Sequence, residues 1–261
     1  LLLCHNVWIT NNIAEVFGGG FYFYESNVIF AEGEVSENIT EWNDGGGGIC
    51  KYSTCSFIDV IIRDNIKDYF NGGEGGTAGI YCYEADASFE NVVIYNNSPG
   101  IGLSFSSGTL DLVNVEIVRS GLGLLCGYFT DVNMTDTVIE NNYPYGGMQT
   151  SYCFVNMENC IIRYNTSQEN GGGICDFNSE FFLANTQISN NTAGLSGGGI
   201  YSHGYDSFFH FSAENRCNIY SNNVSNRESG AEICLDPYSS MAPMEVVVDT
   251  FTVMNPTGYH A

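Results

Sequence analysis

Ten cysteines, 30 carboxylates and four histidines are the residues of this 261-residue chain that could do chemistry. A zinc site gathers thiolates and imidazoles, commonly from a Cys-x-x-Cys turn. The sequence has no such pair, and His5, His203, His210 and His260 are scattered. Polysaccharide cleavage needs two or three acids converging on one bond, often with a Lys or Arg beside them. Glu84 with Asp86, and Asp64 with Asp68, are close in sequence but read as solvated loop acids. No catalytic residue, metal-ligand set or cofactor site is assigned. Acidic loops leave Ca2+ as a compatible ion, without a recognisable ligand motif.

Seven basic residues against 30 acidic ones give a formal net charge of −23. Such a surface repels phosphate, so nucleic acid and anionic membranes are poor partners. Cations, basic proteins and neutral glycans remain. No apolar run is long enough to span a bilayer, so this segment is not expected to insert into a membrane.

Whatever these residues do, a repeat positions them. One line reads apolar-x-Asn/Asp-x-x-Ile-x-x-Asn, as in Phe89-Glu90-Asn91-Val92-Val93-Ile94-Tyr95-Asn96-Asn97. It recurs from Cys4, Phe30, Phe57, Leu112, Met134, Met157 and Leu183; Asn215 to Ile219 and Asn222 fit with one inserted residue, and a weaker copy runs from Val247 to Asn255. A second line is a glycine cluster followed by an apolar residue: Gly18-Gly19-Gly20-Phe21, Gly46-Gly47-Gly48-Ile49, Gly79-Ile80, Gly171-Gly172-Gly173-Ile174 and Gly197-Gly198-Gly199-Ile200 among others. The two lines alternate throughout.

Repeats of roughly 22 to 33 residues exclude a short hexapeptide helix. Interrupting Gly and Asn and the period-2 patterning exclude helical repeats. The expected fold is therefore all-β: a parallel β-helix of about nine to ten coils over residues 1–261, on the order of 40–50 Å long. Ile points inward and stacks on its equivalents. Asn turns the chain, tolerating a left-handed conformation and bonding to the next coil through its amide. The opening Leu1-Leu2-Leu3-Cys4-His5-Asn6 already fits the repeat and is no signal peptide as it stands. A piece of a longer surface protein is expected, with neighbouring coils of the same chain as contacts.

The glycine line and the Phe-x-x-Asn line together resemble the repeats of chlamydial polymorphic outer membrane proteins. The copies ending at Ile49, Ile174 and Ile200 carry the first motif, with Gly where that family often has Ala. Phe182-Leu183-Ala184-Asn185 carries the second; Phe89-Glu90-Asn91 departs from it. The resemblance implies a right-handed β-helix used as an extracellular adhesin or passenger segment.

Counted from the glycine line, Cys50, Cys175 and Cys234 share one position, and Cys82 and Cys126 the next. Within each set the nearest members are two coils apart, roughly 9–10 Å, too far for a disulfide. Cys160 and Cys217 are likewise matched. Buried core thiols are the expectation, with a bond between columns such as Cys50 to Cys55 left open. Six sequons, at Asn38, Asn96, Asn133, Asn165, Asn190 and Asn223, would suit a secreted glycoprotein.

The longest turns lie between the Asn line and the glycine line, at one corner. They bring Trp42, Asp44, Tyr69, Phe70, Tyr143 and Tyr145, which could contact a glycan or a host or cell-surface protein. Alternatively, these aromatics fold back over the core. The expected function is a non-enzymatic extracellular or cell-surface rod, adhesin- or passenger-like. The alternative is a polysaccharide lyase or glycoside hydrolase on the same scaffold.

Overall fold

The computed structural model describes residues 1–42, 44–68, 76–205, 207–211, 219–221, 223–226, 230–237 and 245–247. Their strands stack in parallel register into a β-solenoid of about eight turns. The expected nine to ten coils exceed this, and the last expected copy, from Val247 to Asn255, lies mostly outside the described residues.

Each coil has three faces. The first carries Phe21–Tyr24, Gly48–Lys51, the leading parts of Thr77–Glu90, Ile101–Val113 and Leu122–Thr135, then Gly146–Ser151, Ile174–Phe177 and Ile200–Gly204. The trailing parts of those three long strands continue as the second face, with Phe154–Glu158, Glu180–Ala184 and Phe208–Phe211. The third face is formed by short strands such as Val93–Tyr95, Val138–Glu140 and Ile161–Arg163.

Period-2 alternation sends every second residue inward. Val35, Ile62, Ile94, Ile117, Ile139, Ile162 and Ile188 form one buried column, and Phe30, Phe57, Phe89, Leu112, Met134 and Met157 another. Rings of Phe57 and Phe89 stack at 4.8 Å, and those of Phe181 and Phe209 at 4.7 Å.

At the corner after the third face, Asn38, Asn65 and Asn97 form a buried ladder, resumed by Asn142, Asn165, Asn191 and Asn223. Each rung is satisfied twice over: Asn165 Nδ2 donates to Ile139 O at 2.9 Å and to Asn191 Oδ1 at 3.1 Å, while its Oδ1 accepts from Asn142 Nδ2 at 2.9 Å. The left-handed turn, however, belongs to the residue before the ladder Asn: Glu37, Asp64, Asn96, Asn141 and Asn190 have φ of 53–57°. That residue faces outward and bends the chain, which frees the following Asn to point in.

Two alignments shift relative to the repeat. The run Gly45–Gly48 has four glycines, and its extra member enters the inward column between Phe21 and Ile80. A Cβ on Gly48 would lie 2.3 Å from the Phe21 ring, so only glycine leaves that ring its place. Ile49 therefore pairs with Tyr22 and Tyr81, not with the inward series of Ile174. Near the other end Tyr220, not Ile219, pairs with Ile188, and Asn223 rather than Asn222 takes the ladder position.

The Gly48 shift corrects the cysteine columns. Cys50 is the register partner of Cys82, one rung away, and so belongs to the column of Cys82 and Cys126 rather than that of Cys175 and Cys234. Cys50 bonds Cys55 across the corner between the first and second faces, with their Cα atoms 6.7 Å apart. Cys82, Cys126, Cys153 and Cys160 are buried free thiols. Burial pushes Cys160 up to about 12 and raises Cys82 and Cys126 as well, so these thiols stay protonated and inert. Cys217 lies outside the described residues.

Candidate binding face

Among the described residues, the expected loop corner does not bring Trp42 and Tyr143 together. Trp42 and Tyr143 are both exposed, but four rungs separate them, about 19 Å. Their loops lie against the preceding coil: Trp42 N donates to Glu15 O at 3.0 Å, Tyr143 N to Ser120 O at 3.0 Å, and Tyr145 N to Gly121 O at 2.9 Å. Asp44 is spent on structure, its Oδ1 accepting from Thr77 N at 2.8 Å. Tyr145 is half-buried. Tyr69 and Phe70 lie outside the described residues.

The sequons divide in the same way. Asn38, Asn165 and Asn223 are buried ladder rungs whose Nδ2 atoms are already bonded inside the rod. A glycan on any of them is incompatible with the folded ladder. Asn96 and Asn133 are exposed and Asn190 is half-buried.

Aromatic residues gather elsewhere, along the edge where the first face turns into the second. Tyr24, Tyr52 and Tyr83 meet edge to face at 5.6 and 5.7 Å. Lys51 Nζ lies 5.2 Å from the Tyr52 ring centre and 5.1 Å from that of Tyr83. Farther along, Phe129, Tyr152, Phe177 and His203 follow at 5.9, 5.3 and 5.7 Å. A one-residue insertion makes the second series: Ser106 pairs with Gly127 and Gly108 with Thr130, so Tyr128 and Phe129 occupy the space of Ser107. Both adopt left-handed conformations and stand 70% and 80% exposed. The repeat hides this edge, because its corner position is filled by Glu25, Tyr52, Glu84, Ser107, Tyr152 and Asn178. The legible signal is an aromatic residue four or five positions after the last glycine of the line, as at Tyr24, Tyr52, Tyr83, Tyr152 and Phe177.

The second face carries a groove of about 510 Å³ lined by Asn133, Thr135, Asn156, Glu158, Phe182 and His210. Its floor is the outward column Asn133, Asn156, Phe182, His210, with Asp111 on the rung before it. Asn133 Nδ2 donates to Asp111 Oδ1 at 2.8 Å, and Asn156 Nδ2 to Asn133 Oδ1 at 3.0 Å. This aligns a row of amides parallel to the rod. Phe182 contacts Phe154 at 5.2 Å and His210 edge to face at 5.3 Å, closing the row with aromatic surface.

Ion pairs and a buried acid lie elsewhere on the rod. On the third face Arg63 pairs with Glu34 at 2.6 Å and Glu37 at 3.6 Å, and Arg163 with Glu140 at 2.6 Å. Asp59, Asn91 and Asn114 form an exposed turn ladder. Asp176 is enclosed in the core, 1% exposed, accepting from Thr150 Oγ1 and Ser202 Oγ at 2.8 Å each. Burial pushes its carboxyl above the usual range, and the surrounding hydroxyls pull it partly back. Among the described residues, no cluster of three or more His, Cys, Asp or Glu is arranged to hold a metal ion.

No protein family and no curated protein matches the chain. The resemblance to polymorphic outer membrane protein repeats rests on the quoted residues alone. Among solved structures the chain is similar to a trypsin-treated variant of QnrB1, a plasmid-mediated fluoroquinolone resistance protein. The match covers 95% of this chain and 93% of that one at 11% identity, with a TM-score of 0.31. At that level of similarity nothing about the ligand or activity of this chain follows.

Proposed function

We propose that this solenoid is a non-enzymatic segment of an extracellular or cell-surface rod, adhesin- or passenger-like, that binds a neutral glycan along its second face. The observation that carries the reading is the groove in which the amides of Asn133 and Asn156 lead to the rings of Phe182 and His210. Amides and a carboxylate can bond the hydroxyls of a sugar, and an aromatic ring covers its apolar face. A polymer lying along the rod meets equivalent groups every 4.8 Å or so. The Cys50–Cys55 bond supports an oxidising compartment.

Binding without turnover is favoured by the groove's acids. Glu158 is the one carboxylate among its described lining residues, whereas glycoside hydrolysis uses a pair. A glycan array with wild type, Asn156→Ala and Phe182→Ala tests the reading. Selective glycan binding that both variants weaken at least tenfold is expected. Binding unaffected by both, or the absence of any glycan ligand, would overturn it.

A further inference from the structure

A smaller pocket of about 290 Å³ lies on the aromatic edge, separate from the amide groove. Phe129, Tyr152 and Phe154 line it together with Asp131, Glu180 and Asn178. The register builds it. Asp131, Phe154 and Glu180 occupy successive rungs of one outward column, so the Phe154 ring stands between two carboxylates. Tyr152 comes from the left-handed corner two residues before Phe154, and Phe129 from the insertion on the preceding rung. The rings of Phe129 and Tyr152 are 5.9 Å apart, and all three are open to solvent.

We propose that this pocket is a receptor site for an alkylammonium group. Ring faces carry negative potential, and several around one space attract an ammonium group. Asp131 and Glu180 add formal charge, and neither takes part in an ion pair among the described residues. The same edge already holds such a group of its own: the Lys51 ammonium lies over the rings of Tyr52 and Tyr83. At the equivalent outward position the pocket's own coil has Ser151 in place of Lys51, so it supplies no cation. A net charge of −23 attracts cationic ligands and repels anionic ones over the whole approach. This inference is independent of the glycan groove, whose amides and single acid suit uncharged hydroxyls.

The Lys51 arrangement assigns the alkylammonium to a lysine side chain of a partner protein, and a choline headgroup is the alternative that the test separates from it. The test titrates the intact chain with choline, with its neutral isostere 3,3-dimethylbutan-1-ol and with N-acetyl-lysine methylamide, following ring-proton shifts of Phe129, Tyr152 and Phe154. N-acetyl-lysine methylamide should bind tenfold or more tightly than the isostere, and more tightly than choline. That preference should disappear in the Asp131→Asn, Glu180→Gln double variant, whose substitutions are isosteric and lie on the surface. Preference for lysine amide assigns a protein partner. Preference for choline, with co-sedimentation on phosphatidylcholine vesicles, would overturn the protein partner. Equal affinity for cation and isostere, or no ring shift with either cation, would overturn the site.

Discussion

Gly147 and Asn165 form one unit: a Cβ on Gly147 would lie 2.8 Å from Asn165 Nδ2 and 2.7 Å from Gly173 O. The same contact joins Gly47 to Asn65, Gly123 to Asn142, Gly173 to Asn191 and Gly199 to Asn223. Side-chain amides can enter the interior only where the glycine line leaves space for them. This is why the two lines alternate so strictly in the sequence.

Gly147→Ala should therefore destabilise the rod by about 1–3 kcal/mol, through overpacking and a displaced amide. Gly127→Ala is the control, because a Cβ there meets nothing within 4 Å. Its effect should stay within about 0.5 kcal/mol. Urea midpoints of the two variants check the contrast; equal losses would refute the pairing of glycine and amide.

Ser120 interrupts the ladder between Asn97 and Asn142, and its buried Oγ has no hydrogen-bond partner. Gly102 already provides the facing glycine. Ser120→Asn should complete the ladder and gain about 1 kcal/mol, the ordinary net value of a satisfied hydrogen bond. Slower exchange of the Asn97 amide would report the new bond directly. A lower urea midpoint would show that the break is itself required by packing.

Asp176 gives the rod a pH dependence of definite sign. Its folded-state pKa is raised, so between the unfolded carboxylate value, about 3.9, and that raised value the folded state binds more protons. Stability contributed by the protonated form is complete below about pH 3.9 and declines as pH rises through this window. Asp176→Asn keeps a hydrogen-bonding side chain without the buried charge. The variant should melt higher than wild type at pH 7 and show no advantage at pH 3.5; thermal scans at the two values decide this.

Glycan occupancy is a test of the ladder that needs no mutation. Produced in a glycosylating host, the folded chain should be unmodified at Asn38, Asn165 and Asn223, with any glycans confined to Asn96, Asn133 and Asn190. Peptide mapping by mass spectrometry reads this out, and a glycan on Asn165 in folded material would contradict the described interior.

The spacing of Ile94, Ile117, Ile139 and Ile162 made the third face legible, because inward positions there follow a fixed turn. Where turns vary in length, the reading slipped. Gly48 looks like any other glycine, yet it moves Cys50 by one position and places it beside Cys82. The aromatic edge was obscured because a left-handed corner restricts backbone conformation more than side-chain type, so Tyr52, Glu84 and Ser107 can be equivalent. Loops with Trp42 and Tyr143 stand out in the sequence by their length, but their backbones lie along the preceding coil.

The central claim is that the second face binds a glycan without cleaving it. The most direct measurement is calorimetric titration of the best array ligand, in polymeric form, paired with reducing-end and unsaturated-product assays on the same mixture. Wild type should bind and release no product, with Phe182→Ala reducing affinity at least tenfold. Product formation by wild type that Glu158→Gln abolishes would contradict the account and make the groove an active site.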